Sequence, residues 1–411
     1  MSNTSRRIGI LAALLLLALP LIGLGMHFYG QSTWTKTMKA FEADYGSLDY
    51  TKFDRPAPPE DKNAAEWLMG GAAAIVTSAD EKALVNEMSR HRPAGWSAQQ
   101  ISDLRAVLTA NQSAMDVMGK AVGLTESHFG IRYSEGWAME FPDFISLLNA
   151  GKLLSVHAQL VASEGNPGQA IVSLEILERM IRALYEEPTI ISRLVGCALE
   201  RMSLQVVSEM LMTPQVSAET LAALPGLIQT GEVHTEMRSL LPFDVAVGAS
   251  ALRQGYRKSD LTDFGNLPDR SWLRGYLLGD LHAAEELETV RSAMTATAKP
   301  FGVAPDAFEN CGRPILANAV SKMQAVMAQR ELVLAALDIR RAGLEAGAYP
   351  TVTTLPADSF TGKPLLRSED GDGVRLAVDG GQVLDDRIRQ GGRGAVPKTW
   401  EIVLPALGEG S

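Results

Sequence analysis

Between Pro142 and about Thr213, apolar residues recur at spacings of three and four in three successive runs separated by short breaks. Leu147, Ala150, Leu154, Ala158 and Val161 form the first stripe. After Glu164-Gly165-Asn166-Pro167-Gly168 the rhythm returns as Ala170, Leu174, Leu177, Ile181 and Leu184, with Glu175, Glu178, Arg179 and Arg182 left for the wet side. The third run follows Glu187-Pro188-Thr189 and is apolar on two sides, Val195, Leu199, Met202, Val206 and Met210 on one and Leu194, Cys197, Leu204, Val207 and Leu211 on the other. A helix apolar around most of its circumference must be covered from several directions, so this one is expected at the centre of the fold.

The same periodicity predicts helices over 63–89, over 97–121 with Ser97 as cap, over 217–229 and 232–240, and over 271–297 and 315–345. Pro242, Gly248, Gly255, Gly265 and Pro268 interrupt the stretch before Ser271, and Gly347-Ala348-Tyr349-Pro350 stops the last helix. From Thr351 glycine rises and short β-like runs replace the helical rhythm at 364–367, 374–378 and 400–404, with a hairpin turn expected at 369–373. The expected fold is mainly α, an irregular helical-hairpin bundle or short solenoid over 63–350 with a small β appendage over 351–411. The Glu164 to Ala170 turn is similar to the connection in tetratricopeptide repeats, but the full 34-residue signature and a second copy are absent.

Ahead of this body, Ser5-Arg6-Arg7 precedes an uncharged run from Ile8 to Tyr29 of the length a helix needs to cross a bilayer. The run exceeds a typical signal core, lacks an Ala-x-Ala site and ends in His27-Phe28-Tyr29, which suits an interface. A retained anchor over 1–30 is therefore expected rather than a signal peptide cut after a residue such as Gly25. The arginines stay in the cytoplasm, which places the rest of the chain outside a bacterial inner membrane, in the periplasm. Residues 31–62 are expected as a stalk or first helix with Trp34, Met38, Phe41 and Tyr45, then a proline-broken linker through Pro56, Pro58 and Pro59.

Across 411 residues, 46% hydrophobic content supplies an ample core, while a net charge of −10 and a pI near 5.2 exclude a nucleic-acid partner. Cys197 and Cys311 are too few for a disulfide framework, although an exported domain could join the two.

Catalytic motifs are missing: none of the six histidines forms His-Glu-x-x-His, and there is neither a Gly-x-Ser-x-Gly elbow nor a phosphate loop. Thr125 to Phe144 mixes charge with aromatics, so His128, Phe129, Arg132, Tyr133, Glu135 and Trp137 form a candidate partner or ligand surface. The competing reading is that Trp137, Phe141 and Phe144 plug the end of the bundle. Arg193, Glu200, Arg201 and Glu209 interrupt the apolar third helix and are expected to pair with other charges. A pocket assembled from His128, Glu135, Arg193 and Glu200 would instead make the protein an anchored enzyme or small-molecule binder.

The passage from Arg341-Ala342-Gly343-Leu344-Glu345-Ala346-Gly347-Ala348-Tyr349-Pro350 to Leu355-Pro356-Ala357-Asp358-Ser359-Phe360-Thr361-Gly362 resembles the helix-to-sheet passage of type II secretion pseudopilins. With the anchor and the helical hairpins, the layout resembles a family of uncharacterised bacterial membrane-anchored helical proteins ending in such a tail. The resemblance implies an accessory role in secretion, with the tail as a borrowed module, since residues 30–350 separate it from the anchor. It also implies calcium as the one candidate cofactor, with Asp370, Asp372 and Asp379 as ligands. Independently, Ser368, Asp370, Asp372, Gly373 and Asp379 fall on positions 1, 3, 5, 6 and 12 of a calcium-loop pattern, with Ser and Asp in place of the expected end ligands. Hairpin turns use Asp and Gly for backbone reasons alone. The expected function is a non-enzymatic extracytoplasmic scaffold, joined to the membrane through residues 8–29 and presenting its hairpins to another envelope protein.

Overall fold

The computed structural model describes residues 3–214, 216–228, 233–254, 278–296, 314–351, 355–357, 363–371, 373–379 and 400–407. Its architecture is mainly helical, with one small antiparallel sheet near the C-terminus. The three central runs are α6 (Phe144–Ser163), α7 (Pro167–Tyr185) and α8 (Ile190–Leu211), preceded by α1 (Asn3–Tyr45), α2 (Ala64–Ala73), α3 (Ala79–Met88), α4 (Ala98–Ala110) and α5 (Gln112–Gly119). After them come α9 (Ala218–Ala223), α10 (Val233–Arg253), α11 (Asp280–Ala296) and α12 (Pro314–Ala346).

The α6–α7 turn follows from its sequence. Gly165 takes φ +82°, the Asn166 amide donates to Val161 O at 2.9 Å and the Gly165 amide to Ala162 O at 3.1 Å, closing α6 with a Schellman motif. Pro167 then opens α7 at a position whose N–H would be orphaned anyway. Pro188 ends the next connection, and Thr189 caps α8 by accepting from the Ser192 amide at 3.1 Å. As its pattern requires, α8 is covered from several directions, by α6, α7 and α12. Leu199, Val206, Val207 and Leu211 are fully buried there, each contributing about 2 kcal/mol through removal from water. By length and hydropathy α6 could cross a membrane, but 67% of its apolar window is buried inside the protein as core.

Three expectations are resolved by the packing. Of the two alternatives for the stretch after the anchor, a stalk or the first helix of the domain, the packing fits the second: α1 runs unbroken to Tyr45 and puts Phe41 in the main core, where Leu48 joins it. The proline-broken arm is laid against the body, with Phe53 edge-on to Phe243 at 5.3 Å. Pro242 does not end a helix, since α10 continues through it to Arg253. The helix simply does without one amide hydrogen bond, and apolar burial of Phe243, Val245 and Val247 outweighs that cost. Arg179, assigned to the wet side of α7, is 1% exposed, because α2 and α5 cover that face.

The tail strands are β1 (Leu366–Asp370), β2 (Gly373–Ala377) and β3 (Glu401–Leu404), antiparallel in the order β1-β2-β3. The pairs Ser368↔Arg375 and Asp370↔Gly373 make the expected hairpin. Val374, Leu376, Ile402 and Leu404 join the same core as the hairpins. The buried Arg340 of α12 clamps the tail on, donating to Pro405 O at 3.0 Å, to Pro214 O at 3.2 Å and to the Tyr349 hydroxyl.

Candidate functional site

Where α7 gives way to α8, Tyr185-Glu186-Glu187-Pro188 turns beside the arm of residues 52–55 and the middle of α10. A cleft of 280 Å³ opens here, lined among others by Phe53, Arg55, Glu187, Pro188, Arg193 and Leu240. Glu187 sits at its inner edge with its side chain 2% exposed. One carboxylate oxygen accepts from the Arg55 guanidinium at 3.1 Å, and the other accepts the Tyr133 hydroxyl. Burial pushes the Glu187 carboxyl above the ordinary carboxylate range, against the pull of Tyr133, Arg55 and nearby His128. Burial and the Glu187 charge push the Tyr133 hydroxyl up in turn. The Tyr133 ring is fixed edge-on to Phe53 and Phe243, with centroids at 6.4 and 5.0 Å.

Neighbouring groups hold this edge rigid. Glu186 accepts from the Ser127 hydroxyl and lies 3.8 Å from the Arg179 guanidinium, which also donates to Glu126 O at 3.0 Å. Asn63 grips the next residue through its backbone, donating to His128 O at 2.9 Å and accepting from the His128 amide at 2.8 Å. Across the cleft Arg193 stacks on the Tyr185 ring at 4.0 Å and donates to Tyr185 O at 3.1 Å. Below the cleft, Asp244 of α10 accepts the Ile190 amide at 3.0 Å and so caps the first turn of α8; burial raises its carboxyl to about 7.

A second Tyr–Glu–Arg group lies deeper on α8. The Tyr185 hydroxyl donates to Glu200 at 2.5 Å, and Arg330 of α12 holds both carboxylate oxygens at 2.7 and 2.9 Å. Both members of this ion pair are sealed, with side chains 3 and 4% exposed. Glu209 likewise pairs with Arg92 at 2.9 Å, as expected for charges on α8.

The residues singled out from sequence are therefore dispersed. Of the four proposed pocket residues, Arg193 lines the cleft, His128 flanks Glu187, Glu200 is sealed away with Arg330, and Glu135 pairs with Arg132 on the surface at 2.7 Å. Among the candidate surface residues Arg132 is exposed, whereas Phe129 packs edge-on to Phe144 at 5.5 Å and Tyr133 is 2% exposed. Tyr133 is therefore no surface contact but an interior support of Glu187; the Trp137 side chain lies outside the described residues. Phe144 is buried at the start of α6, and Phe141 packs on the same core. His157 joins α6 to α7 through Ser173 at 2.7 Å. Cys197 is buried, while Cys311, to which an exported domain could join it, lies outside the described residues. In the tail Asp370 pairs with Arg375 at 2.9 Å and Asp379 with Lys363 at 2.8 Å; Asp372 lies outside the described residues.

Sequence reasoning missed Arg55, Glu187 and Asp244. Only the acidic pair directly before Pro188 hinted at the first carboxylate; Arg55 sat in an apparent linker. Chemically, the cleft offers two guanidinium groups, the Lys52 ammonium and two carboxyls, of which that of Glu187 is raised in pKa, which is binding and proton-holding chemistry. Its described lining contains no serine, cysteine or histidine, and among the described residues no three acidic, His or Cys side chains are grouped to hold a metal ion. Compared with protein-family models, curated proteins and solved structures, the chain matches none.

Proposed function

We propose that this protein is an extracytoplasmic scaffold anchored in the bacterial inner membrane by the N-terminal half of α1, offering its helical-hairpin body to another envelope protein. One observation carries the reading. Helix α1 is continuous over 43 residues, yet it changes character midway. Leu21, Ile22, Leu24, Met26, Phe28 and Tyr29 are exposed to an extent unsuited to water, whereas from Gly30 onward the helix is packed into the body. The uncharged run 8–29 would be about 33 Å long as a helix, against about 30 Å of bilayer hydrocarbon. An unbroken helix shared by anchor and body would fix the body's height and tilt, as a scaffold needs.

The test is a phosphatase reporter fused at Ser411, combined with protease protection in spheroplasts. Activity of the reporter outside the cytoplasm, with the body digested only after the outer membrane is opened, is the expected result; a reporter active only in the cytosol rejects the proposal. Photo-crosslinkers at the exposed positions Arg132 and Val122 should then trap a protein neighbour in intact cells.

The cleft beside Glu187 favours a second reading, a membrane-held binder of a small polar molecule. Arg55 and Arg193 would supply donors for a carboxylate-bearing ligand. Short dicarboxylates should then raise Tm in wild type and not in an Arg193→Met variant.

A further inference from the structure

Just past the last exposed apolar residues of α1, three backbones meet at unusually close range. A Cβ on Gly30 would stand 3.3 Å from the Leu281 amide nitrogen and 3.4 Å from Asp280 Cβ, so the first turn of α11 lies directly on α1. A Cβ on Gly279 would stand 2.8 Å from both Cα and O of Arg253, so the end of α10 lies directly on the start of α11. The Arg253 guanidinium sits 5.1 Å from the Trp34 ring and 2.5 Å from Asp280, and remains 47% exposed. Lys36 and Lys39 of α1 are exposed on the same stretch of helix.

Height follows from helix geometry. From Tyr29 to Trp34 the axial rise is about 7.5 Å. The polar layer of a bilayer adds about 5–8 Å beyond the hydrocarbon on each side. Because α1 does not break, the junction cannot lift away from that layer once residues 8–29 span the hydrocarbon. Trp34 then lies at the depth that aromatic belts occupy, and Arg253 and Lys36 reach phosphate oxygens with long flexible stems.

We propose that the junction of α1, α10 and α11, presenting Trp34 and Arg253, together with Lys36 on the opposite face of α1 at the same height, is a docking surface for phospholipid headgroups that seats the helical body directly on the bilayer. The inference rests on the anchor reading above. Its consequence is that the cleft at Glu187 and the surface at Arg132 are held at fixed height above the membrane, not swung on a tether.

The test uses the full chain in nanodiscs of phosphatidylethanolamine and phosphatidylglycerol, with a small fluorescent amino acid placed singly at Leu24, Lys36, Gln254 or Asp116. Headgroup-labelled nitroxide lipid should quench the probes at Lys36 and Gln254 several-fold more than the one at Asp116, and acyl-chain nitroxide should quench the one at Leu24. Quenching at Leu24 without quenching at Lys36 and Gln254 overturns the docking surface and leaves the anchor standing. Loss of quenching at Leu24 as well overturns both.

Discussion

Two carboxylates, Glu187 and Glu200, are served by the same residue types and live in different worlds. Glu187 is held by Tyr133 and Arg55, Glu200 by Tyr185 and Arg330. The difference is the arginine: Arg55 is 41% exposed at a cleft, whereas Arg330 is 4% exposed between α8 and α12. In the sealed group both charges lie away from water, so the pair fixes how α12 registers on α8. In the open group the cation can turn to water, and the carboxyl can exchange its proton or receive a ligand. Identical chemistry is thus structural in one place and available in the other, and solvent access alone decides which.

The comparison breaks most readily at Glu200. Glu200→Ala removes the carboxylate that the buried Arg330 holds with two hydrogen bonds and should cost about 3–5 kcal/mol in urea unfolding, while the double replacement Glu200→Leu with Arg330→Met should recover much of that loss. A cost below about 1 kcal/mol would show that the interior pair is not sealed.

Asp244 sharpens the picture from α10, where it caps the first turn of α8. Its carboxyl is raised from 3.8 to about 7, so the folded state holds the proton more tightly than the unfolded chain. That contribution to stability is present below about pH 4 and lost as pH rises toward 7. Asp244→Asn, which keeps an acceptor for the Ile190 amide, should gain on the order of 3 kcal/mol over wild type at pH 8 and nothing at pH 4, read from unfolding midpoints across that range.

Glu187→Gln should behave unlike its interior counterpart. Since burial raises the Glu187 carboxyl, its ionisation weakens the fold as pH climbs above 4.5, and the amide should flatten that slope. A stabilising change of roughly 1 kcal/mol at pH 8 is expected, because the orphaned Arg55 can hydrate. Smallest of all, Arg55→Ala should cost less than about 1 kcal/mol at pH 5. It should cost more at pH 8, where Glu187 must carry its charge alone; equal costs at both pH values would remove Arg55 from the group.

Much of the scaffold was readable in one dimension. The three stripes of 142–213, the Schellman turn at Gly165, the Ser97 cap and the hairpin before Gly373 are local devices, set by residues a few positions apart. The centrality of α8 was readable too, because a helix apolar on two sides has no stable surface position. The site was not. Glu187 meets Arg55 across 132 residues and Glu200 meets Arg330 across 130, and no periodicity records such partners. Tyr133 looked like surface because charge surrounds it in sequence, yet Phe53 and Phe243, from an apparent linker and from a proline-containing helix, close over it.

The sequence by itself determined the helical class, the centre of the core, the sheet at the tail and the apolar start of α1, because burial of a periodic stripe is a local demand. Tertiary structure alone decided that Arg179 is inside and Arg132 outside, that residues 31–62 belong to the body, and which of two Tyr–Glu–Arg groups faces a cleft. Those outcomes depend on which distant surface happens to exclude water from a charge, and the cost or availability of that charge is fixed only once the packing is complete.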